Sequence, residues 1–413
     1  MSNLRPDGQA MLARALEDAK PGPAVRKAME DLPKAKRYYL LSIGKAGWAM
    51  AEAACACLGD RLAEGLVITK YDHSQGPLPA CRIFEAGHPV LDQNSLDATA
   101  EALALADRLE EDDCLIFLIS GGGSALFEHS DLGLEELQEI NQALLSSGMD
   151  IVKMNTLRKR FSQVKGGQFA HRAAPAHIYA LVLSDVLGDR LDSIASGPAY
   201  PDDTSKEEAL AIVEDYELKL SDQALAMLHK DLPQKLDNVT TKIIGSVGGL
   251  IASAQEEAKK LGYQTIVLSD RVDIEARDLG QFLGGLAQTQ ASRPGKLASK
   301  IAYILGGETV VTLKGKGKGG RNQEIALAAA PYLAGLDSCL LFSVGSDGTD
   351  GPTDAAGGWV DGESLAKLQA AGYEPAEVLK NNDAYHALAS IGGLIMTGPT
   401  GTNVNDLTCL LLG

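Results

Sequence analysis

Short apolar runs that stop at glycine-rich turns and give way to helical periodicity recur along the whole chain, and this alternation narrows the fold more than any other feature. Residues 38–43, 66–69, 114–119 and 178–183 form such runs in the first half, and 242–246, 265–268, 301–305, 310–313 and 339–344 in the second. A strand without polar alternation is buried on both faces, the condition of a parallel sheet covered by crossover helices. Amphipathic stretches over 95–109, 134–145 and 250–261 supply those helices. The expected fold class is α/β: two α/β domains with mostly parallel sheets and an active site in the interdomain cleft. The tight Gly306-Gly307 turn before Glu308 predicts that 301–313 is a pair of antiparallel strands at a sheet edge.

With 413 residues the chain exceeds the ~250–300 at which one core stops growing, so two domains are expected. The polar stretch 231–242 is the best boundary, giving domains over 1–237 and 238–413. Hydrophobic residues make up 45% and charged residues 23%, the balance of a globular protein. A net charge of −17 repels nucleic-acid backbone and anionic lipid, so neither nucleic acid nor membrane is an expected partner. The six cysteines make no Cys-x-x-Cys pair and read as small buried apolar residues in a reducing compartment. The first 20 residues lack an apolar core and no run approaches the ~20 apolar residues of a membrane span, so a cytoplasmic location is expected.

Three loops of the first half can carry chemistry. Ser42-Ile43-Gly44-Lys45-Ala46-Gly47 follows a strand and opens a helix, where Gly44 permits close backbone approach and Lys45 adds a charge that reaches phosphate or carboxylate. A plain strand-to-helix turn reads the same residues. Ser120-Gly121-Gly122-Gly123-Ser124 leaves another strand, and three consecutive glycines suit a phosphate cradle, with a structural turn as the rival reading. Ser184-Asp185 and Gly188-Asp189 end a third strand, where Asp185 and Asp189 suit Mg²⁺ or turn formation equally. Asn155, Arg158 and Lys165 are spaced to share a helical face, as ligand contacts or as a solvated basic surface. His88, in Gly87-His88-Pro89, is the one histidine in a loop suited to substrate contact, and a plain turn accounts for it as well.

In the second half, Glu308 follows its glycine turn, and the lysine–glycine alternation over 314–320 predicts a mobile basic loop that delivers Arg321 to the start of a helix. A planar guanidinium there suits the spread charge of a transferring phosphoryl group. Asp347 and Asp350 lie in a polar loop whose acidic spacing does not match a calcium loop; it reads as a ligand loop or as Asx turns.

Taken in order, Ser42-Ile-Gly-Lys45-Ala-Gly, Gly87-His-Pro, Ser120-Gly-Gly-Gly-Ser124, Ser184-Asp-Val-x-Gly-Asp189, Gly306-Gly-Glu308-Thr, Gly320-Arg321-Asn-Gln-Glu324 and Ser346-Asp-Gly-Thr-Asp-Gly351 resemble the glycerate 2-kinase family, from about residue 40 to 405. The resemblance implies a Rossmann-like first domain and a MOFRL module over about 300–405. It implies transfer of phosphate from ATP to the 2-hydroxyl of D-glycerate, with Mg²⁺ assisting, and it gives Lys45 and Arg321 the central catalytic roles. Asp189, beside Asp185, would hold Mg²⁺ or accept the hydroxyl proton, and Lys45 or Arg158 would anchor the substrate carboxylate. The partners are then small molecules, and a homo-oligomer is compatible with them. Relatives labelled hydroxypyruvate reductases supply the alternative, an NAD(P)H enzyme, but neither glycine turn has the six-residue dinucleotide fingerprint. A non-catalytic ligand sensor explains the glycine loops but not the charged loops of both halves.

Overall fold

The computed structural model describes residues 4–292 and 300–413, which divide into two compact units. One spans Pro21–Ile244; the other joins the N-terminal segment up to Lys20 to Gly245–Gly413.

The first unit is built on a six-stranded sheet: β1 (Arg37–Ile43), β2 (Leu62–Lys70), β3 (Cys81–Ala86), β4 (Asp113–Ile119), β5 (His177–Leu183) and β6 (Val239–Gly245), ordered β3-β2-β1-β4-β5-β6. The registers from β3 through β5 are parallel. As the apolar runs require, β4 is buried at every residue, and β1 and β5 at all but the first. Helices Gly47–Leu58 and Gln93–Ala106 follow β1 and β3, the latter held by a capping box on Asp92 and Ser95. Phe117, Phe127 and Phe169 meet with ring centroids 5.1–5.9 Å apart in the core beneath. This strand order is the doubly wound one, and it reverses between β1 and β4. In open α/β sheets such a reversal is where ligands bind, outside the carboxyl ends of the strands.

The second unit departs from expectation. Its sheet contains β7 (Gln264–Val272), β8 (Ile301–Gly307), β9 (Cys339–Gly345), β10 (Gly357–Asp361), β11 (Leu394–Ile395) and β12 (Asp406–Leu412), in the order β11-β10-β9-β12-β8-β7. Only β7 and β8 pair in parallel; β12 lies antiparallel between β8 and β9, and β10 is antiparallel to both its neighbours. The sheet is mixed because β12 returns to its centre, fully buried. The expected hairpin over 301–313 does not form, since β7 and β12 occupy both flanks of β8; Val310 makes a lone bridge to Glu275.

Residues 242–246, expected to open the second domain, lie largely in β6 of the first sheet. The polar boundary stretch is tied there by Asn238, whose amide donates to the carbonyls of Ala170 (3.0 Å) and Ala176 (3.1 Å) while its own carbonyl accepts from Ile178 N (2.7 Å). The first compact unit runs on to Ile244. The N-terminal helix Arg5–Asp18 packs on helix Val247–Lys260, and Asp7 accepts hydrogen bonds from Tyr263 (2.8 Å) and Lys300 (3.0 Å). Among the described residues no helix is long and apolar enough to cross a membrane.

Candidate active site

At the strand-order reversal of the first sheet the two glycine loops interlock. Lys45 N donates to Gly121 O (2.8 Å), and Ser120 N to Ile43 O (3.0 Å). The Ser120 hydroxyl donates to Ile43 O (3.0 Å) and accepts from Ala46 N (3.1 Å), so it ties the loops together and is not the ligand contact the sequence suggested. Gly44 has φ 104°, and a Cβ there would collide with Ser120. Gly121 carries the Asp185 carboxylate where a Cβ would stand, and Gly122 is left-handed at φ 86° between His88 and Lys45. A Cβ on Gly123 would come within 2.6 Å of the Ala195 methyl. Protein packing thus accounts for each of the three glycines, and at Gly122 it leaves bare backbone facing His88 and Lys45. The Ser124 hydroxyl pairs with that of Ser196 (3.0 Å), which reaches Asn155 Oδ1 (3.4 Å), so Ser124 and Asn155 belong to one network behind the loop.

Lys45 is half-buried, and among the described residues its ammonium has neither a hydrogen-bond acceptor nor a carboxylate partner; the same holds for Lys70 at the end of β2. In a chain of 55 acidic and 38 basic residues, two unneutralised ammoniums at one sheet edge create a local attraction for anions. On the neighbouring loop Asp189 adopts φ 54°, a conformation that strains a non-glycine residue, and its Oδ1 is buried without a partner among the described residues. A buried carboxylate oxygen left unbonded is costly, and it fits a cation or a donor brought by a ligand. Asp185 lies against the same glycine loop.

The basic stretch behind the loop is mostly structural. Helix Ile151–Phe161 stops before Lys165, so Asn155, Arg158 and Lys165 do not share one helical face. Lys165 is buried in an ion pair with Glu128, which also accepts from the Ser162 hydroxyl (2.6 Å) and His129 N (3.0 Å). Burial pushes its ammonium below the usual range against the pull of Glu128. Lys165 is therefore no ligand contact. Replacing it with Met strands the Glu128 charge, and unfolding in denaturant is expected to show a loss of about 3–5 kcal/mol, with activity per folded molecule retained. Lys159 is likewise buried, on Asp202 (2.5 Å), and the Arg160 guanidinium reaches Thr204 (2.9 and 2.7 Å), which removes the solvated-surface reading as well. Arg158 donates to Asn141 Oδ1 (2.9 Å), with its pKa lowered by burial.

In the second unit Arg321 begins helix Arg321–Leu333. Its Nε and Nη2 bind Asp406 in a bidentate fork (2.5 and 3.0 Å), and Nη1 binds Glu308 (2.8 Å). Three of its five donors are so engaged and two N–H groups remain. Glu308 is held in turn by Asn405 Nδ2 (3.2 Å), so it helps to position the arginine. Burial pushes Asp406 up to about 7, with the charges of Asp350 and Glu308 adding to this against the pull of Arg321. Asp350 is not a ligand residue either. It caps the helix, accepting from Asn322 N (3.1 Å) and Gln323 N (2.9 Å), and burial raises it to about 6. Asp347 accepts from Thr349 N (2.9 Å) as an Asx turn.

The lysine–glycine segment is pinned, not mobile. Lys314 N and Gly315 N donate to Asn382 Oδ1 (2.8 and 2.9 Å), Lys316 N to Asn381 Oδ1 (3.1 Å) and Lys318 N to Asp383 Oδ1 (2.9 Å). A Cβ on Gly315 or Gly317 would strike the backbone at 381–383, which explains the alternation. Asn405 and Asp406 were not found by sequence reasoning. Their only signal is a polar pair at the mouth of an apolar run, a weak one.

Comparison with known proteins adds independent findings. A domain of unknown function, DUF4147, matches residues 7–229, and the MOFRL family matches residues 301–406. The chain is 48% identical over 401 residues to the D-glycerate 2-kinase of Thermotoga maritima, covering 96% of this chain and 95% of the relative. The crystal structure of glycerate kinase from that organism superposes with a TM-score of 0.94 at 46% identity, over 99% of both chains. A relative from Agrobacterium vitis bearing a provisional hydroxypyruvate reductase name is 36% identical over 406 residues, covering 97% of this chain and 92% of its own length.

Proposed function

This chain belongs to the MOFRL-containing glycerate kinase family, and from that membership we propose that it transfers the terminal phosphoryl group of ATP to the 2-hydroxyl of D-glycerate. The hydroxyl oxygen bonds to the γ-phosphorus as the bond to the β,γ-bridging oxygen breaks; ADP leaves, a proton is released and 2-phosphoglycerate remains. The ammonium of Lys45 beside the glycine loop, unpartnered among the described residues, carries this reading.

Phosphoryl transfer demands positioning and charge neutralisation more than an unusual nucleophile. Lys45 supplies a point charge for phosphate oxygens, and the interlocked loops let the backbone approach them. Arg321 offers its two remaining N–H groups to negative charge on a phosphoryl group. Its fork on Asp406 keeps the guanidinium plane oriented, so little order is lost when it engages. The unpartnered Asp189 Oδ1 and the neighbouring Asp185 would hold Mg²⁺, which supplies charge neutralisation to the phosphates when bound. Arg158 is a candidate for the glycerate carboxylate.

The test incubates the protein with D-glycerate, ATP and Mg²⁺ and adds enolase without phosphoglycerate mutase. Phosphoenolpyruvate forms only from the 2-phosphate, so its absence while ADP appears rejects the stated position of transfer. A parallel incubation with hydroxypyruvate and NADH is expected to leave NADH unconsumed, because neither glycine turn has the fingerprint that holds a dinucleotide.

A further inference from the structure

We propose that His88 is a substrate-contacting residue, the Nε2 edge of its imidazole accepting the hydrogen bond of the acceptor's 2-hydroxyl; this rests on the kinase reading. A Cβ on Gly122 would stand 3.0 Å from His88 Cδ2, 3.1 Å from Nε2 and 3.2 Å from Lys45 Cγ. The imidazole edge, the glycine loop and the lysine that faces phosphate therefore share one small volume at the carboxyl ends of the parallel strands. Among the described residues neither ring nitrogen of half-buried His88 has a hydrogen-bond partner.

The loop bearing His88 is held in advance. Asp92 accepts from Ser95 N (3.0 Å), from the Tyr71 hydroxyl (2.7 Å) and from the backbone of Gly87. Such anchoring fixes the ring before any ligand arrives. Burial, with the charges of Lys45, Lys70 and His73, holds the imidazole down at about 4. A neutral imidazole keeps one lone pair, whereas a protonated one has two donors and no acceptor. Beside two ammoniums that serve anions, the group needing an acceptor is the hydroxyl, whose oxygen must be aimed at the γ-phosphorus.

Two variants test this. His88→Phe keeps a ring against Gly122 and removes the nitrogens; His88→Gln restores a polar atom near the Nε2 position. With the wild type first shown to make 2-phosphoglycerate, H88F is expected to lose on the order of 10- to 100-fold in kcat/KM for D-glycerate while ATP affinity stays within about twofold, and H88Q to recover much of the loss. H88F retaining near wild-type kcat/KM, H88Q losing as much as H88F, or an equal loss of ATP affinity overturns the proposal. An inactive wild type instead overturns the kinase reading. Should H88F not fold, the wild type decides: its His88 imidazole nitrogen resonance, assigned by difference with H88Q, shifts on adding D-glycerate with a non-hydrolysable ATP analogue, and no shift rejects the contact.

Discussion

Arg321→Ala is expected to lower kcat for glycerate phosphorylation by about 10³-fold or more, the scale set by arginines that neutralise a transferring phosphoryl group. The same change removes the bidentate partner of buried Asp406, so stability falls as well, by up to about 3 kcal/mol given that the arginine is partly exposed. Activity loss alone would therefore be ambiguous. The double variant Arg321→Ala with Asp406→Asn separates the two effects, because the neutral amide no longer strands a charge. Its unfolding midpoint is expected to recover most of the lost stability, and its turnover to stay at the level of the single variant. Recovery of turnover together with stability would falsify the catalytic role and leave Arg321 as a structural anchor.

Lys45→Ala is expected to behave differently. The ammonium makes no bond to protein among the described residues, so its removal leaves stability unchanged or slightly improved. Loss of one preorganised charge at the phosphates predicts a fall of about 10²- to 10³-fold in kcat/KM. Lys45 also helps hold the His88 imidazole down, so the variant's His88 titrates at higher pH than the wild type's. The direction follows from removing a positive neighbour, which makes the protonated ring less unfavourable. A variant within about threefold of wild-type kcat/KM, or one whose melting midpoint drops sharply, sinks the assignment.

These two residues also mark how far the sequence could be read. Lys45 and Arg321 each stand at a strand-to-helix or loop-to-helix junction, where residue type and spacing are enough to point to anion contact. Glu308, Asp350 and Lys165 looked equally functional, yet each is committed to protein: Glu308 to Arg321, Asp350 to a helix end and Lys165 to Glu128. Spacing along a chain reports what a residue can reach, not whether a partner from a distant segment has already taken it.

The sequence by itself determined the α/β class, the central strands of the first sheet, strands β8 and β9 of the second and the junctions where glycine meets charge, because apolar periodicity and glycine turns are local and are set by burial and backbone sterics. Tertiary structure alone decided that β12 returns antiparallel into the second sheet, that β6 closes the first, and that Asp406 grips Arg321 across 85 residues. Those outcomes rest on pairings between segments remote in the chain, whose energies depend on which edges and carboxylates remain unfilled once the local elements have formed.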